Sequence, residues 1–351
     1  MPKLTIKEIA KLANVSPSTV SFVLNHRPGV SEQTRQRVQA VIDQTHYTPN
    51  AHVRRLTLKK SFTIHVVMRQ FSSYNLNNLF GIDVLMGIFR ESRKLGYDII
   101  FTSVDYSSPD YQETFSYVLD TVASNAADAV AFIMVYQPNL LEQLKQRNVP
   151  FICIDSHVVK DGSIPLVELD AYDAAYHAAN YLIQSGHTEI GFIGADAAPE
   201  FHKATFGGFL AALRDADLPR HPEWYQKDSK EETRTPDCMQ RILSCKLRPT
   251  AVFCAGDIFA AEAIRQAKKS GFHVPQDISI ISIDDLIVSE FFDPALTTMS
   301  LDKTEMGSLA MRTLYAMLHQ EPYQAVNLLK TTLVVRDSVC PPNAYAQEST
   351  P

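Results

Sequence analysis

The stretch Thr5-Ile-Lys-Glu-Ile-Ala-Lys-Leu-Ala-Asn-Val-Ser-Pro-Ser-Thr-Val-Ser-Phe-Val-Leu24 predicts two capped helices joined by a tight turn. Thr5 can cap the first helix while Glu8 reaches back to it, which is the capping-box pattern. Ser16 is a good N-cap for the second helix, and Pro17 suits a first helical position, where no amide donor is missed. This order is typical of a helix-turn-helix.

A third helix completes this N-terminal module. Asn14 stands where the chain must turn sharply, and asparagine tolerates the left-handed conformation better than most residues. Ser31-Glu32 predicts another helix start, followed by Val38, Val41 and Ile42 on one face. Three short capped helices therefore form a small module with its own core.

The second helix has two faces of different chemistry. Successive residues advance by ~100° around a helix, so Val20, Val23 and Leu24 face the small core. The opposite side carries Ser18, Ser21, Phe22 and Asn25, of which the short polar members suit phosphates or base edges. Phe22 is open to two interpretations: packing against helix one, or apolar contact with a thymine methyl group.

The charge is unevenly distributed along the chain. Residues 1–60 hold ten lysines and arginines against three acidic residues, whereas the remainder holds 23 against 36. A basic head on an acidic body indicates a localised polyanion footprint. Arg54-Arg55 and Lys59-Lys60 are either a solvated linker face or phosphate contacts, and the neighbouring helix-turn-helix favours the second.

Several protein classes are disfavoured by composition and motifs. The chain has 351 residues, which predicts two or three domains. It has no long apolar run or signal peptide, so we expect a cytoplasmic protein away from membranes. The five cysteines lack a Cys-x-x-Cys pair and the histidines lack ligand spacing, so neither a disulfide framework nor a metal site is expected. Catalytic and nucleotide-binding motifs are absent, which predicts a non-enzyme without cofactor.

Beyond residue 61 the pattern alternates apolar strand-like runs with helical segments. Strands are predicted at Thr63–Met68, Tyr97–Ser103, Ala129–Tyr136, Phe151–Asp155, Ile190–Gly194, Ala251–Ala255 and Ile278–Ile283. Such alternation predicts an α/β fold of parallel sheets with helices on both faces. Two cycles of comparable length indicate two similar lobes.

The N-terminal segment resembles the lactose-repressor (LacI/GalR) family. The resemblance rests on residues 5–21, Val23-Leu24-Asn25, Val30-Ser31, Thr34-Arg35, Arg37-Val38 and Tyr47-Thr-Pro-Asn50. It implies a hinge helix that orders on operator DNA, with Leu56 at the place of a leucine wedged into the minor groove. Family members usually carry arginine where this chain has Phe22, so an arginine–guanine contact is not expected there.

The resemblance and the helical wheel together select the candidate DNA-binding residues. They are Thr5, Ser16, Pro17, Ser18, Thr19, Ser21, Phe22, Asn25, His26, Arg27, Tyr47, Asn50, Arg54 and Leu56.

The body also resembles this family, most clearly at Ser185–Gly194, Gly208-Phe209, Val274-Pro275, Ser282–Asp285 and Leu296–Thr298. The resemblance implies two lobes of the periplasmic-binding-protein type, joined by three crossovers near residues 160–168, 293–303 and 325–332. The expected domains are a helix-turn-helix at 1–46, a hinge at 47–60, an N-terminal lobe at 61–165 and 303–327, a C-terminal lobe at 166–302 and 328–340, and a tail at 341–351.

A small molecule is expected in the cleft between the lobes, at the carboxyl ends of the strands. Arg69, Asp155 and Asp284 are polar residues that follow strands, and the two aspartates match effector-contacting positions of the family. Phe80 is expected either to stack on a ligand ring or to pack in the core. Asp285 is expected to cap a helix rather than to bind ligand.

The cleft departs from the family pattern at three positions. Thr205 replaces a pocket arginine, and Lys203, two residues earlier, is a candidate substitute. Gly256 stands where asparagine is usual, and Leu301 stands where glutamine is common. These losses weaken the expectation of a simple sugar and leave a bulkier glycoside, a partly apolar ligand or no tight ligand open.

The sequence predicts a transcriptional regulator, most simply a repressor of a carbohydrate-utilisation operon gated by a sugar or glycoside. Its expected partners are an inverted-repeat operator and a second copy of itself, with a tetramer left open, because protein symmetry dictates site symmetry. Control by a non-sugar metabolite or a protein partner is the alternative. A solute-binding protein would share the body but would lack residues 5–56 and need an export signal.

Overall fold

The computed structural model describes residues 4–24, 28–45, 47, 60–70, 78–158, 160–194, 199–226 and 235–343. The chain divides into two compact units, Met1–Phe62 and Thr63–Pro351, against a predicted end of the linker at residue 60. Each unit is described by itself. Six of the predicted DNA-binding residues lie outside the described residues: Asn25, His26, Arg27, Asn50, Arg54 and Leu56.

The head unit contains three helices, α1 (Ile6–Leu12), α2 (Pro17–Leu24) and α3 (Glu32–Thr45). Their caps are those that the sequence predicted. The amide of Thr5 donates to Glu8 Oε2 at 2.6 Å, and the Glu8 amide donates back to Thr5 Oγ1 at 3.4 Å. Asn14 has a φ of 52°, so the turn before α2 does use the left-handed conformation.

A small apolar core holds the three helices together. Each helix contributes buried side chains, which are Ile9, Ala10, Val20, Val23 and Val38, together with Ala13 after α1. Leu24, Val41 and Ile42 pack against this core while staying half-buried. The helical spacing of apolar residues therefore placed the inward faces correctly.

The first lobe of the body is built on a six-stranded parallel sheet. Its strands are β1 (Thr63–Arg69), β2 (Asp98–Val104), β3 (Ala129–Ile133), β4 (Phe151–Ile154), β5 (Leu166–Leu169) and β11 (Val326–Leu329), in the order β11-β5-β4-β3-β1-β2. Its helices are α4 (Asn78–Leu95), α5 (Tyr111–Ala123), α6 (Pro138–Gln146) and α11 (Lys303–His319). The inner strands β1, β3, β4 and β5 are buried as parallel strands covered on both faces should be, whereas the edge strands β2 and β11 are largely exposed or half-buried.

The second lobe repeats this plan. Its strands are β6 (Ile190–Ile193), β7 (Tyr225–Gln226), β8 (Ala251–Cys254), β9 (Ser279–Asp284), β10 (Thr297–Ser300) and β12 (Thr332–Val334), in the order β12-β10-β9-β8-β6-β7. Only the pairing of β12 with β10 is antiparallel within this described sheet. The helices are α7 (Ala171–Gln184), α8 (Pro199–Asp215), α9 (Thr235–Leu243) and α10 (Asp257–Lys269), with 3₁₀ turns at Pro222–Trp224 and Ile287–Phe291.

The chain crosses between the lobes three times, after Leu169, after Ser300 and after Leu329. The predicted division between residues 165 and 166 is wrong, because Leu166–Leu169 pairs with β4 and β11 in the first sheet. The division between 327 and 328 is wrong for the same reason, since β11 runs to Leu329. An apolar run shows that a strand exists but not which sheet it joins.

Both lobes bring a pair of helices together at glycines. A Cβ on Gly307 of α11 would lie 2.0 Å from the Val84 carbonyl oxygen of α4, and one on Gly208 of α8 would lie 2.1 Å from that of Tyr172 in α7. The helix backbones therefore touch directly at these crossings. No helix among the described residues is long and apolar enough to cross a membrane.

Candidate nucleic-acid interface and effector cleft

The start of α2 presents a cluster of hydroxyl groups. The Thr19 amide donates to Ser16 Oγ at 3.1 Å, which makes Ser16 the N-cap that the sequence predicted. Ser16 Oγ also lies 2.7 Å from Ser18 Oγ and 2.9 Å from Thr19 Oγ1. The hydroxyls thus lie beside the amide-rich end of the helix, which favours anions.

A hollow of about 380 Å³ opens between the starts of α2 and α3. It is lined by the hydroxyl residues Ser16, Ser18, Thr19, Ser31 and Thr34, the apolar Val15, Phe22, Gly29 and Val30, and Arg37. Phe22 keeps 37% of its surface exposed and stays outside the head core, so it does not serve as a core residue. A Cβ on Gly29 would lie 3.9 Å from the Phe22 ring, which places the ring against this turn.

The remaining described candidates in the head differ in their accessibility. Thr5 is exposed, but its hydroxyl also donates to Glu8 Oε2 at 2.9 Å within the capping box. Pro17 is exposed and Ser21 half-buried. Tyr47 packs against the head core, and burial raises the pKa of its phenol. The ring of Tyr47 is therefore engaged in packing, which the sequence did not indicate.

In the body, Asp155 and Asp284 come from different lobes, at the carboxyl ends of β4 and β9. Both have positive φ values, 48° and 120°. Burial raises the pKa of Asp155 to about 7 and raises the pKa of Asp284 well above its ordinary value. After burial and the charge of Asp257, the charge of Asp155 also contributes to the raised pKa of Asp284, so carboxyls from the two lobes influence each other.

Lys303, which the sequence did not single out, links the two lobes below these carboxyls. Its buried ammonium donates to the backbone carbonyls of Asp284 at 2.6 Å, Asp285 at 3.1 Å and Leu301 at 3.3 Å. It also lies 5.9 Å from the centre of the Phe80 ring. Phe80 is buried, so of its two expected roles the structure favours packing at the floor of the cleft.

A ring contact bridges the lobes. His157 follows β4, and its ring centre lies 4.8 Å from that of Phe201 in α8. His157 Nε2 lies 4.0 Å from Asp155 Oδ2, and burial lowers the pKa of His157 to about 4, which favours the neutral ring. The only sequence signal for His157 was its place two residues after Asp155. No sequence signal pointed to Phe201.

Arg69, predicted to follow the first strand, is instead the last residue of β1 in the first lobe. Its guanidinium carbon lies 5.4 Å from the centre of the Tyr106 ring. Hydrogen bonds from Ser107 lower the pKa of Asp105 and burial lowers the pKa of His157, and the charge of Arg69 adds a smaller lowering to each. Arg69 and His157 therefore belong to one electrostatic neighbourhood.

Two predicted effector residues on α8 are placed differently from expectation. Thr205 is fully buried, and its hydroxyl donates back along the helix to Phe201 O at 3.0 Å and His202 O at 3.1 Å. Its assignment as an effector ligand is therefore wrong, since the hydroxyl is satisfied inside the helix. Lys203, two residues earlier on the same helix, is exposed.

The neighbouring acidic residues have structural roles. Asp285 pairs with Arg336 at 2.7 Å instead of capping a helix. Asp257 is fully buried and accepts hydrogen bonds from Ser282 Oγ, Ser289 Oγ, Thr298 Oγ1 and the Leu286 amide. A Cβ on Gly256, where a family asparagine is usual, would lie 3.2 Å from the Phe259 ring and 3.5 Å from Asp284 Oδ2, so this position has little room for a side chain. Across the described ranges, no group of three or more potential ligands could hold a metal.

Comparisons with known proteins match this division of the chain. Residues 5–50 match the model of bacterial regulatory proteins of the lacI family, and residues 179–339 match a periplasmic binding protein-like domain. The HTH-type transcriptional repressor PurR of Pectobacterium carotovorum is 32% identical over 95% of this chain and 96% of that protein. PurR of Yersinia pestis is 33% identical over 88% and 89%, respectively.

Solved structures share the fold. The transcriptional regulator CelR in complex with cellobiose has a TM-score of 0.71 and 24% identity, covering 96% of this chain and all of that one. The lac repressor dimer bound to operator and the anti-inducer ONPF has a TM-score of 0.69 and 21% identity, covering 96% and 99%.

The fold and the two sites define a DNA-binding transcriptional repressor with an effector-binding body, and not an enzyme. The chain belongs to the lacI family of bacterial regulatory proteins.

Proposed function

We propose that this repressor binds an inverted-repeat operator as a homodimer and is gated by a small molecule held between Asp155 and Asp284. The observation that carries the DNA-binding role is the capped start of α2, where Ser16, Ser18 and Thr19 face outward together. Hydroxyls at the start of a helix contact phosphates, and the exposed face of the helix reaches base edges. Such a protein acts on the chromosome, which supports the expected cytoplasmic location.

Operator selection tests the DNA-binding role. The full chain is incubated with random duplexes, and bound sequences are amplified over several rounds. An inverted repeat should emerge, and a chain lacking residues 1–60 should select nothing while keeping its body folded. Selection by the truncated chain, or a failure of the full chain to enrich any sequence, would contradict the proposal.

The proposed effector carries hydrogen-bond donors and a flat or apolar face. The cleft offers the carboxyls of Asp155 and Asp284 for donors, and the His157–Phe201 ring pair for a face. A simple sugar would need more fixed polar groups. A glycoside with an apolar part therefore fits better, which keeps the carbohydrate-operon function as the first candidate.

A non-sugar effector is the second candidate. The inter-lobe ring pair favours it, because a nitrogen heterocycle could stack on the rings and direct its N–H edge at the carboxyls. The relatives from Pectobacterium carotovorum and Yersinia pestis, at 32% and 33% identity, are repressors named PurR.

Thermal-shift titration of the full chain separates these candidates. The probes are cellobiose, 2-nitrophenyl galactoside, adenine and guanine, each at millimolar concentration. One class of probe should raise the melting temperature. Asp284→Asn should increase the probe concentration needed for half of that rise by at least tenfold. Thr205→Val is the matched control on the same cleft side, and it should leave the response unchanged because the hydroxyl is bonded within α8. If Asp284→Asn keeps the same rise in melting temperature as wild type, Asp284 does not contact the effector.

An exposed apolar stripe supports the homodimer. Ile82, Met86 and Phe89 follow one another at helical spacing on the outer face of α4, where Met86 is 56% exposed. Asp83 precedes Met86 by three residues and Arg90 follows it by four. Around a two-fold axis at Met86, Asp83 of one copy would face Arg90 of the other, so the stripe is complementary to itself in both charge and hydrophobicity.

The adjacent sheet edge extends this surface. Phe101 of the edge strand β2 pairs in register with Val66 and is exposed. Side chains alternate along a strand, so Phe101 lies on the same side of the sheet as Met68, which packs at Gly81 of α4. The stripe and Phe101 together form the proposed dimer surface.

Sedimentation velocity tests this surface. Met86→Glu should convert the dimer to a monomer at micromolar concentration, because a charge would be buried twice across the axis. Leu247→Glu is the matched control, since Leu247 is also exposed but lies on the second lobe. A dimer that survives Met86→Glu would exclude the stripe, and a monomeric wild type would exclude the homodimer.

The gating mechanism that we propose is linkage between the cleft and the head. An effector that binds one lobe arrangement more tightly shifts the equilibrium by its differential affinity. The three crossovers, with Lys303 bonded across one of them, are the elements that such a change in lobe angle would strain.

A further inference from the structure

The phosphate contacts proposed for the head leave the apolar floor of its hollow without a binding partner. It is formed by Phe22, Gly29 and Val30, and the surrounding rim carries hydroxyl groups. Gly29 has a φ of 104°, a conformation that favours glycine, and its turn brings the chain against the Phe22 ring. The ring is thus supported on one side and open on the other, which is the arrangement of a binding surface.

The chemistry of DNA restricts what such a floor can bind. Phosphates and the polar atoms of base edges need hydrogen-bond partners, and an aromatic ring provides none. The apolar group that the major groove displays is the C5-methyl of thymine. A floor of ring and aliphatic side chain therefore suits a pyrimidine that carries a 5-methyl group.

We propose that Phe22 is a specificity-determining residue that recognises the 5-methyl group of one thymine in each operator half-site. This proposal rests on the proposed DNA-binding function. The hydroxyls of Ser16, Ser18 and Thr19 lie at the rim, where neighbouring phosphates would hold the helix in register. Ser31, which caps α3 through the Thr34 amide at 3.3 Å, lies at the other side of the hollow.

Methyl scanning of the selected operator tests the proposal on the full chain. Each thymine is replaced in turn by uracil, which keeps every hydrogen-bonding group and removes only the methyl. One position in each half-site should lose about fourfold in affinity, as expected for about 0.8 kcal/mol per buried methyl. Replacing a mismatched cytosine at that position by 5-methylcytosine should recover part of the loss.

The same scan with Phe22→Ala assigns the methyl contact to the ring. The variant should bind the thymine and uracil operators equally. The coupling free energy between Phe22→Ala and the thymine-to-uracil change should therefore equal the affinity loss that wild type shows on the uracil operator. Phe22→Leu should retain part of the methyl preference, and both variants should keep the melting temperature because Phe22 lies outside the head core. Leu12→Ala, which removes another exposed apolar side chain of the head, is the matched control and should keep full methyl sensitivity.

The outcomes are distinguishable. Loss of methyl sensitivity in Phe22→Ala alone supports the proposal. A wild type without any methyl-sensitive position, or a Phe22→Ala variant with unchanged sensitivity, overturns it while leaving DNA binding intact. If the full chain selects no operator at all, the proposed function fails and this inference fails with it.

Discussion

Alanine substitutions at the neighbouring glycines Gly207 and Gly208 of α8 should change the stability of the second lobe in opposite directions. A Cβ on Gly208 would lie 2.1 Å from the Tyr172 carbonyl oxygen of α7, whereas a Cβ on Gly207 would lie 3.6 Å from the Tyr172 ring. The first is a backbone contact inside the helix crossing, and the second is ordinary van der Waals contact. Both residues are inside the same helix, so the helix propensity of the substitution is the same.

The expected magnitudes follow from these distances. Glycine to alanine inside a helix gains roughly 0.5–1 kcal/mol when nothing clashes. Real Cβ atoms essentially never come closer than 3.0 Å to another atom, so Gly208→Ala must separate the two helices by about 1 Å. Overpacking of this kind costs ~1–3 kcal/mol. We expect Gly207→Ala to stabilise the second lobe slightly and Gly208→Ala to destabilise it by about 1–2 kcal/mol.

Urea unfolding followed by tryptophan fluorescence measures the difference. Trp224 is the single tryptophan of the chain, and it is fully buried in the second lobe, so it reports on the lobe that contains α8. The two variants carry the same substitution at adjacent positions. If the slope of unfolding free energy against urea is the same for both, the difference between their urea midpoints measures the difference in stability directly. Equal midpoints for the two variants, or a stabilised Gly208→Ala, would refute the close backbone contact between α7 and α8.

Substitutions at three further positions test other parts of the chain. His65 is buried, and desolvation lowers its pKa to about 4; the unfolded chain therefore takes up the proton first, and His65 should contribute a stability loss of up to about 3 kcal/mol between pH 6.5 and 4, so urea titrations of His65→Gln should show a loss smaller than that of wild type by this amount. Asp257→Ala strands four donors and should cost ~3–5 kcal/mol in the same assay; an effect below 1 kcal/mol would contradict the network. Asn14→Gly should leave the melting temperature of the head almost unchanged, whereas Asn14→Val should lower it clearly, because the φ of 52° penalises a β-branched side chain.

Local sequence signals predicted the head almost completely. Caps act within four residues of their helix, so Thr5, Ser16 and Ser31 could be assigned without knowledge of any distant contact. The two aspartates of the cleft were also predictable, because carboxyl ends of parallel strands meet at one edge of a sheet.

The errors arise where distant parts of the chain meet. The predicted boundary at residue 166 failed because the partner of β5 is β11, which lies far along the chain. The assignment of Thr205 to the effector site failed because its hydroxyl is bonded within α8, and residue type does not determine that rotamer. His157 and Phe201 were missed because only the packing of two lobes brings their rings together.

The capped three-helix head, the two α/β lobes and the DNA-binding family could all be predicted from the amino-acid sequence. Those properties depend on residues near one another in the chain, through helix caps, helical spacing and apolar runs. In contrast, the hollow lined by Phe22 and the bonds of Lys303 between the lobes became visible only in the folded chain. Burial and electrostatics depend on every group within a few ångströms, and most of those neighbours are remote in sequence.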